Sequence, residues 1–500
     1  MQRVFQRVNL IVLILAIAGV GALSISNQSL WIDEGGGAIK AVQPALRDWW
    51  QAMETEHNSN LQLPLELIYI WGWDKFFGHS EVLLRISNIP WFMLAIFGVF
   101  WGSIQRPRFQ YWFLVVALLS PFLWFYLNEV RPYIVVFAGA SLTFACLLRA
   151  RWNRADCIQN RWWYALLCLG VLIACSASMA AVPWALCSLI GAAVLLGVPA
   201  FLRIAWDRKW TTLFFGLCMA SLGGYFLWTM HSGAKASGGR TGLENLVIIL
   251  YEQLGLMGLG PGRSALRDEG VKAFANGAFF LIPAVLLLIP VCLQSLRQLR
   301  FTLCRKDWAL VFLVIGVPLC ASLGAGHMMH VRILGRHLMP MMPFVLAGLA
   351  VGMERTFRSA GGFSKAAAIL LLVLLSLSAL EVRFAQRHSK DDYRTAAALA
   401  AEALRHGRPV WWAADKLTAQ YYRLPVSRGP SPGEALLVMN LSPEEMTLPH
   451  GGVVFLSKPD IYDNQRALST SLENHHWRKI KTLQAFQVWE DGGIPLRAVP

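Results

Sequence analysis

Two adjacent carboxylates, Asp33 and Glu34, close the run Ser29-Leu30-Trp31-Ile32-Asp33-Glu34 just after a long apolar stretch. Carboxylates beside a bilayer are costly to desolvate and need a reason to be there. A solvated acidic pair is the plainer reading. The chemical one is a general base, since a carboxylate can take the proton of an attacking hydroxyl. A second group, Asn128-Glu129-Val130-Arg131-Pro132-Tyr133, sets an acid, an arginine and a tyrosine around a turn. Pro132 can start a helix there without losing a hydrogen bond. A local ion pair and a shared cleft with Asp33 both fit this group. In the third, Arg332, Arg336 and His337 precede Pro340 and Pro343. An arginine at a membrane boundary can simply snorkel, or its planar fork can hold a lipid phosphate through two hydrogen bonds.

The elements that must position these residues follow from composition. Of 500 residues, 56% are hydrophobic and only 15% are charged, and the mean hydropathy is +0.46. An ordinary soluble domain carries about 25% charged residues, so a disordered chain, a coiled coil and a typical cytosolic enzyme are excluded. Apolar runs near the length that crosses the hydrocarbon recur about eleven times. They fall at 8–26, 82–102, 110–128, 131–149, 162–178, 181–202, 210–230, 273–294, 308–325, 337–353 and 366–384. Ala22-Leu23-Ser24 could pass for a cleavage site, but the first run is long for a signal peptide and reads as an uncleaved span. Pro64–Phe77 is apolar yet short and holds Glu66 and Asp74, which suits a helix lying in the interface.

Arginine and lysine set the orientation. The short loops around Arg106 and Arg108, Arg149 to Arg161, Arg203 to Lys209, Arg297 to Lys306 and Arg355 to Lys365 hold most of the basic residues of this region and few acids. Those loops and the N-terminus are therefore expected in the cytoplasm. The net charge of +15 is then largely a topology signal, and no nucleic-acid partner is expected. The acids, Asp33, Glu34, Glu129, Glu244 and Glu252 among them, fall on the outer face. Two outer loops are long, 27–80 and the glycine-rich 231–272. The glycines match neither a P-loop nor GxGxxG in a strand–turn–helix setting.

After residue 384 the chain turns polar, cysteine-free and nearly charge-balanced. Residues 391–405 have helical periodicity, and 409–413, 435–438, 452–456 and 485–489 read as short strands. The expectation is therefore an α-helical polytopic membrane protein of the inner (plasma) membrane, with residues 1–384 as its transmembrane domain. Residues 385–500 form a small extracytoplasmic (periplasmic) α/β domain. The nine cysteines form no CxxC and sit mostly in apolar runs, so neither a disulfide framework nor a zinc site is expected.

Taken together and in order, the 29–34 run, the 128–133 turn and Gly335-Arg336-His337-Leu338-Met339-Pro340 resemble the GT-C class of membrane glycosyltransferases. The nearest members are glycosyltransferase family 39 and the bacterial aminoarabinose (lipid A) transferase relatives. The resemblance covers most of 1–384. It implies a catalytic aspartate or Asp-Glu pair at Asp33 and Glu34, and a polyprenyl-phosphate-sugar donor reached from the bilayer. An acceptor hydroxyl on a glycan, lipid or protein would attack with inversion at the sugar. Arg336 and His337, with Arg263 and Arg267 of the second loop, would hold the leaving lipid phosphate, and Glu129, Arg131, Tyr133 and His57 would contact substrate. The family's His-Pro-Pro or Lys-Pro-Pro segment is replaced by Asn60-Leu61-Gln62-Leu63-Pro64-Leu65, where only the proline is kept. His57 or Arg85 could stand in for the missing base. The first loop has no Asp-x-Asp, and no metal or other cofactor is expected.

Three other functions compete. A transporter would line its pathway with charges inside the spans, which are nearly free of them here. A lipid-linked-glycan ligase or polymerase would lean on a dominant outer loop in the second half of the chain. A non-catalytic sensor or assembly protein would need none of the three groups.

Overall fold

The computed structural model describes residues 2–56, 59–231, 241–442, 448 and 450–491. The chain divides into two compact units. One comprises Met1–Ser26, Trp50–Trp73 and Leu83–His388; the other comprises Asn27–Trp49, Asp74–Val82 and Ser389–Pro500. The chain is a helical polytopic membrane protein with a small C-terminal α/β domain.

In the first unit every apolar run becomes helical. Among the described residues, eight helices are long and apolar enough to cross a membrane, from Glu81–Gly102 to Gly362–Phe384. The run at 110–128 is broken into Pro107–Leu118 and Pro121–Leu127, bent by 60°. The break has a local cause: Ser120 caps the second helix by accepting from the Leu123 N–H, and Pro121 opens it. The runs at 8–26 and 162–178 are shorter apolar helices, Ile11–Ser24 and Trp162–Ala177. Pro64–Phe77, at 14 residues, is short of a crossing.

Tyr133–Trp152 is the central helix, with 89% of its apolar window buried, against 11% for Lys209–Met230. Small residues let its neighbours approach. A Cβ on Gly139 would meet Ala174 N at 2.5 Å, and one on Gly102 would meet Ala145 O at 2.4 Å. Close backbone contact of this kind replaces the hydrophobic drive that is missing between helices in lipid. Phe92, Phe137, Met339 and Met342 lie fully buried in the same core.

The second unit is built on a six-stranded sheet: β1 Val410–Ala413, β2 Val426–Ser427, β3 Ala435–Leu437, β4 Val453–Ser457, β5 Arg478–Leu483 and β6 Phe486–Glu490. Its order is β2-β3-β1-β4-β6-β5. Strands β2, β3, β1 and β4 run parallel; β6 pairs antiparallel with β4 and β5 antiparallel with β6. The Tyr393–Arg405 helix lays Ala396, Ala397, Ala400 and Ala403 against the core around Trp412, Phe455 and Phe486.

The long loop at 27–80 is divided between the units. Its segments 27–49 and 74–82 fold with 389–500, because side chains of the C-terminal part clamp it. Tyr422 Oη accepts the Leu30 N–H at 2.7 Å and donates to Glu81 at 3.0 Å. Arg394 pairs with Glu81 at 2.7 Å, and its N–H donates to Ser29 Oγ at 3.0 Å.

Candidate functional site

In the membrane unit, the broken helix ends at a turn that carries Glu129. Asn88 pins this turn through Nδ2, donating to the carbonyls of Leu127 at 3.2 Å and Glu129 at 2.7 Å. Asn128 Oδ1 accepts from Ser26 N at 2.7 Å and Ser26 Oγ at 3.0 Å. The Glu129 side chain is thereby held fully buried. Arg263, at the start of the Arg263–Asp268 helix, reaches it at 3.5 Å and donates to Tyr126 Oη at 2.8 Å. The guanidinium carbon lies 3.9 Å from the Phe125 ring centroid, a cation–π contact strengthened by desolvation.

Glu252, at the end of the Leu243–Gln253 helix, faces the same group. Its Oε2 accepts the Gly335 N–H at 3.0 Å. Gln253 Nε2 donates to the carbonyls of Gly335 at 3.2 Å and Leu338 at 3.1 Å, which fixes the start of the Gly335–Ser359 span. Arg336 follows directly. Burial pushes the Glu252 carboxyl above the usual carboxylate range, against the pull of Arg263, Arg336 and the Gly335 N–H. Burial also works against the Arg263 charge, but Tyr126 and Glu129 outweigh it and leave its pKa above the ordinary value. Two arginines, Arg263 and Arg336, thus share this cluster with the carboxyls of Glu129 and Glu252, the latter raised by burial. Guanidinium donors gathered in a partly dehydrated site offer charge-assisted hydrogen bonds to an anion.

Other sequence candidates fall around this cluster or outside it. Tyr133 packs edge-on against Tyr126, centroids 4.7 Å apart. Arg131 donates to Asn60 Oδ1 at 2.8 Å. His337 Nδ1 accepts the Leu334 N–H at 3.0 Å, which gives it a capping role. Arg267 is one turn along its helix from Arg263. Arg85 is fully buried, with Nη1 donating to Ser26 O at 2.9 Å. His57 lies outside the described residues. Sequence reasoning did not single out Tyr126 or Glu252 as site residues. The available signal for Glu252 was an acid following the apolar run Leu246–Tyr251.

The second unit treats its two adjacent acids differently. Both lie in the first turn of the Ile32–Ala41 helix. Glu34 is fully buried, paired with Lys390 at 2.8 Å, and accepts the Trp31 N–H at 3.3 Å. Asp33 is only half-buried. Close to it stands Asp415, whose carboxyl is raised first by burial and further by the Asp33 charge, against hydrogen bonds from Thr418. The helix sits close because Gly35 has no side chain: a Cβ there would lie 2.0 Å from Thr418 Oγ1. Lys458 pairs with Asp391 and lies 5.3 Å from the Trp31 ring centroid. Among the described residues, no three His, Cys, Asp or Glu side chains gather as a metal ion would need.

No protein-family model matches the chain, and no curated protein matches it. In structure the chain is similar to ArnT from Cupriavidus metallidurans bound to undecaprenyl phosphate, with a TM-score of 0.45 and 11% identity over 96% of this chain and 97% of that one. It is likewise similar to ArnT from the same organism in the apo state, with a TM-score of 0.44 and 13% identity over 97% of this chain and 98% of that one.

Proposed function

We propose that the protein is an integral membrane glycosyltransferase that moves a sugar from a polyprenyl-phosphate-sugar to an acceptor hydroxyl on the extracytoplasmic face, with inversion. The observation that carries this reading is the Arg263–Arg336 pair set against buried Glu129 and Glu252. As the glycosidic bond breaks, the departing lipid phosphate gains negative charge, and preorganised donors aimed at that charge lower the barrier. Arg263 and Arg336 supply those donors, so the reaction is written without a metal. Asp33 takes the proton of the acceptor hydroxyl. Glu34, held by Lys390, acts as a positioning residue for the helix that carries Asp33. Attack by oxygen on the anomeric carbon forms one C–O bond and breaks another; the lipid monophosphate leaves with the electron pair. A single displacement of this kind inverts the sugar.

The test is transfer from a short-chain polyprenyl-phosphate-sugar by purified protein in nanodiscs, followed by acceptor-independent binding of the polyprenyl phosphate. Arg263→Ala and Arg336→Ala should each weaken donor binding. Arg336→Lys should recover only part, since a point charge cannot reproduce the bidentate fork. Full donor affinity in a folded Arg263→Ala, Arg336→Ala double variant removes the phosphate site from this cluster.

A further inference from the structure

The Gly335–Ser359 span carries arginine at both ends. Arg336 stands in its first turn, and Arg358 stands in its last with Arg355 just before it, roughly 30 Å away at the rise of a helix. Beside that far end, the membrane unit holds a cavity of about 520 Å³. Its walls are apolar, with Phe144, Leu299, Val311 and Phe344 among them. Four arginines also line it, Arg106, Arg151, Arg355 and Arg358, against two acids, Asp307 and Glu354.

These arginines are not all committed. Arg151 is paired with Asp307 at 2.9 Å. Arg355 donates to Gln294 at 3.2 Å and to Gln298. Arg106 lies 5.4 Å from the Trp152 ring centroid and is exposed, as is Arg358. Neither makes an ion pair with a described residue. Two further details shape the space. The Phe312–Gly316 turn is a π-helix, a rare widening that is frequent at functional sites, and its Val314 and Ile315 face the cavity. At Gly348, which also lines it, an added Cβ would meet nothing within 4 Å.

We propose that this cavity binds one anionic phospholipid from the adjoining leaflet, its acyl chain between the apolar walls and its phosphate on Arg106 and Arg358. Water is a poor occupant of apolar walls that offer it few partners, whereas a bilayer supplies hydrocarbon at this depth. The surplus of arginine selects a negative headgroup, as basic pockets between transmembrane helices do. Uncommitted guanidinium groups offer the two-point geometry that a phosphate accepts. The inference does not rest on the glycosyltransferase reading, which uses the opposite end of the same span.

The experiment is native mass spectrometry of the full chain released from nanodiscs of mixed phosphatidylcholine and phosphatidylglycerol. Wild type should retain one phosphatidylglycerol. Gly348→Phe, which fills the cavity from an open position, should lose it. The Arg106→Gln, Arg358→Gln variant should retain lipid but lose the preference for phosphatidylglycerol. Phosphatidylglycerol retained undiminished in Gly348→Phe, or a preference unchanged in the arginine variant, overturns the proposal, as does a wild type that holds no lipid or holds the two lipids alike. Should Gly348→Phe fail to fold, the arginine variant decides alone.

Discussion

The backbone N–H of Gly335 donates to Glu252 Oε2 at 3.0 Å, and a Cβ at position 335 would stand 2.2 Å from that same oxygen. The span that carries Arg336 therefore starts against a carboxylate that only a glycine can approach so closely. Gly335→Ala should push the Glu252 side chain out of place and cost about 1–3 kcal/mol, as overpacking does in a filled core. Thermal unfolding measures that cost. Donor titrations should show KM rising more than kcat falls, because the substitution disturbs the proposed phosphate site and leaves the proposed base in place.

Glu252 should also make donor binding depend on pH. Its carboxyl is raised above the usual carboxylate range by burial. Below that raised pKa it is neutral and leaves the arginines to the phosphate. As pH rises through it, a second negative charge appears beside them and competes. Donor affinity should therefore fall with rising pH across the raised carboxylate range, and Glu252→Gln should flatten that profile. A wild-type profile that rises with pH over the same range would contradict the electrostatic account.

Asp33 and Glu34 should respond to substitution in opposite ways. Asp33→Asn should fold normally and lose about 10²–10⁴ in rate, the usual worth of a general base. Glu34→Gln leaves the Lys390 charge buried without its partner, which typically costs about 3–5 kcal/mol. Replacing both partners by Leu and Met should restore most of that stability. Thermal unfolding of Glu34→Gln and of the Glu34→Leu, Lys390→Met double variant, set beside their transfer rates, separates positioning from chemistry.

Sequence alone makes these two acids look equivalent, and neighbouring positions offer nothing to tell them apart. Their difference comes from Lys390, in a distant part of the chain. The same distance hid Glu252, whose partner Gly335 lies 83 residues away. What was legible was local. Apolar runs gave the helices, but 110–128 read as one unbroken run, and its break at Ser120-Pro121, a cap followed by a proline, was missed. In the second unit, short apolar runs exposed the buried strands β1, β3, β4 and β6. They missed the two-residue β2, Val426–Ser427, and β5, Arg478–Leu483, whose exposed Arg478, Lys479 and Lys481 mark an edge strand protected by charge. The clamp of Tyr422 and Arg394 on residues 27–31 also left no local trace, so the first outer loop read as one piece.

His388 should make the membrane unit sensitive to acid. Burial, and after it the Arg387 charge, push its imidazole down to about 4 from the ordinary 6.5. Arg387 Nε donates to His388 Nε2 at 3.3 Å, which needs the neutral ring. Between pH 6.5 and about 4 the unfolded chain binds a proton that the folded chain refuses. Stability is then lost as pH falls through that window, by up to a few kcal/mol. His388→Asn should remove the dependence. Unfolding midpoints of wild type and variant in nanodiscs, read from pH 7 to 4.5, test it.

The charge asymmetry of the loops predicts which side each segment faces. Cys304 is exposed and sits among Arg300, Arg305 and Lys306, so it should face the cytoplasm. Thr470 is exposed in the Ala467–Asn474 helix of the second unit and should face outward. In a chain stripped of its other cysteines, an impermeant maleimide applied to intact spheroplasts should label Thr470→Cys and spare Cys304. Permeabilising the membrane should then expose Cys304. The reverse pattern would put Asp33 and its unit in the cytoplasm, beyond the reach of an extracytoplasmic acceptor, and would overturn the proposed reaction along with the orientation.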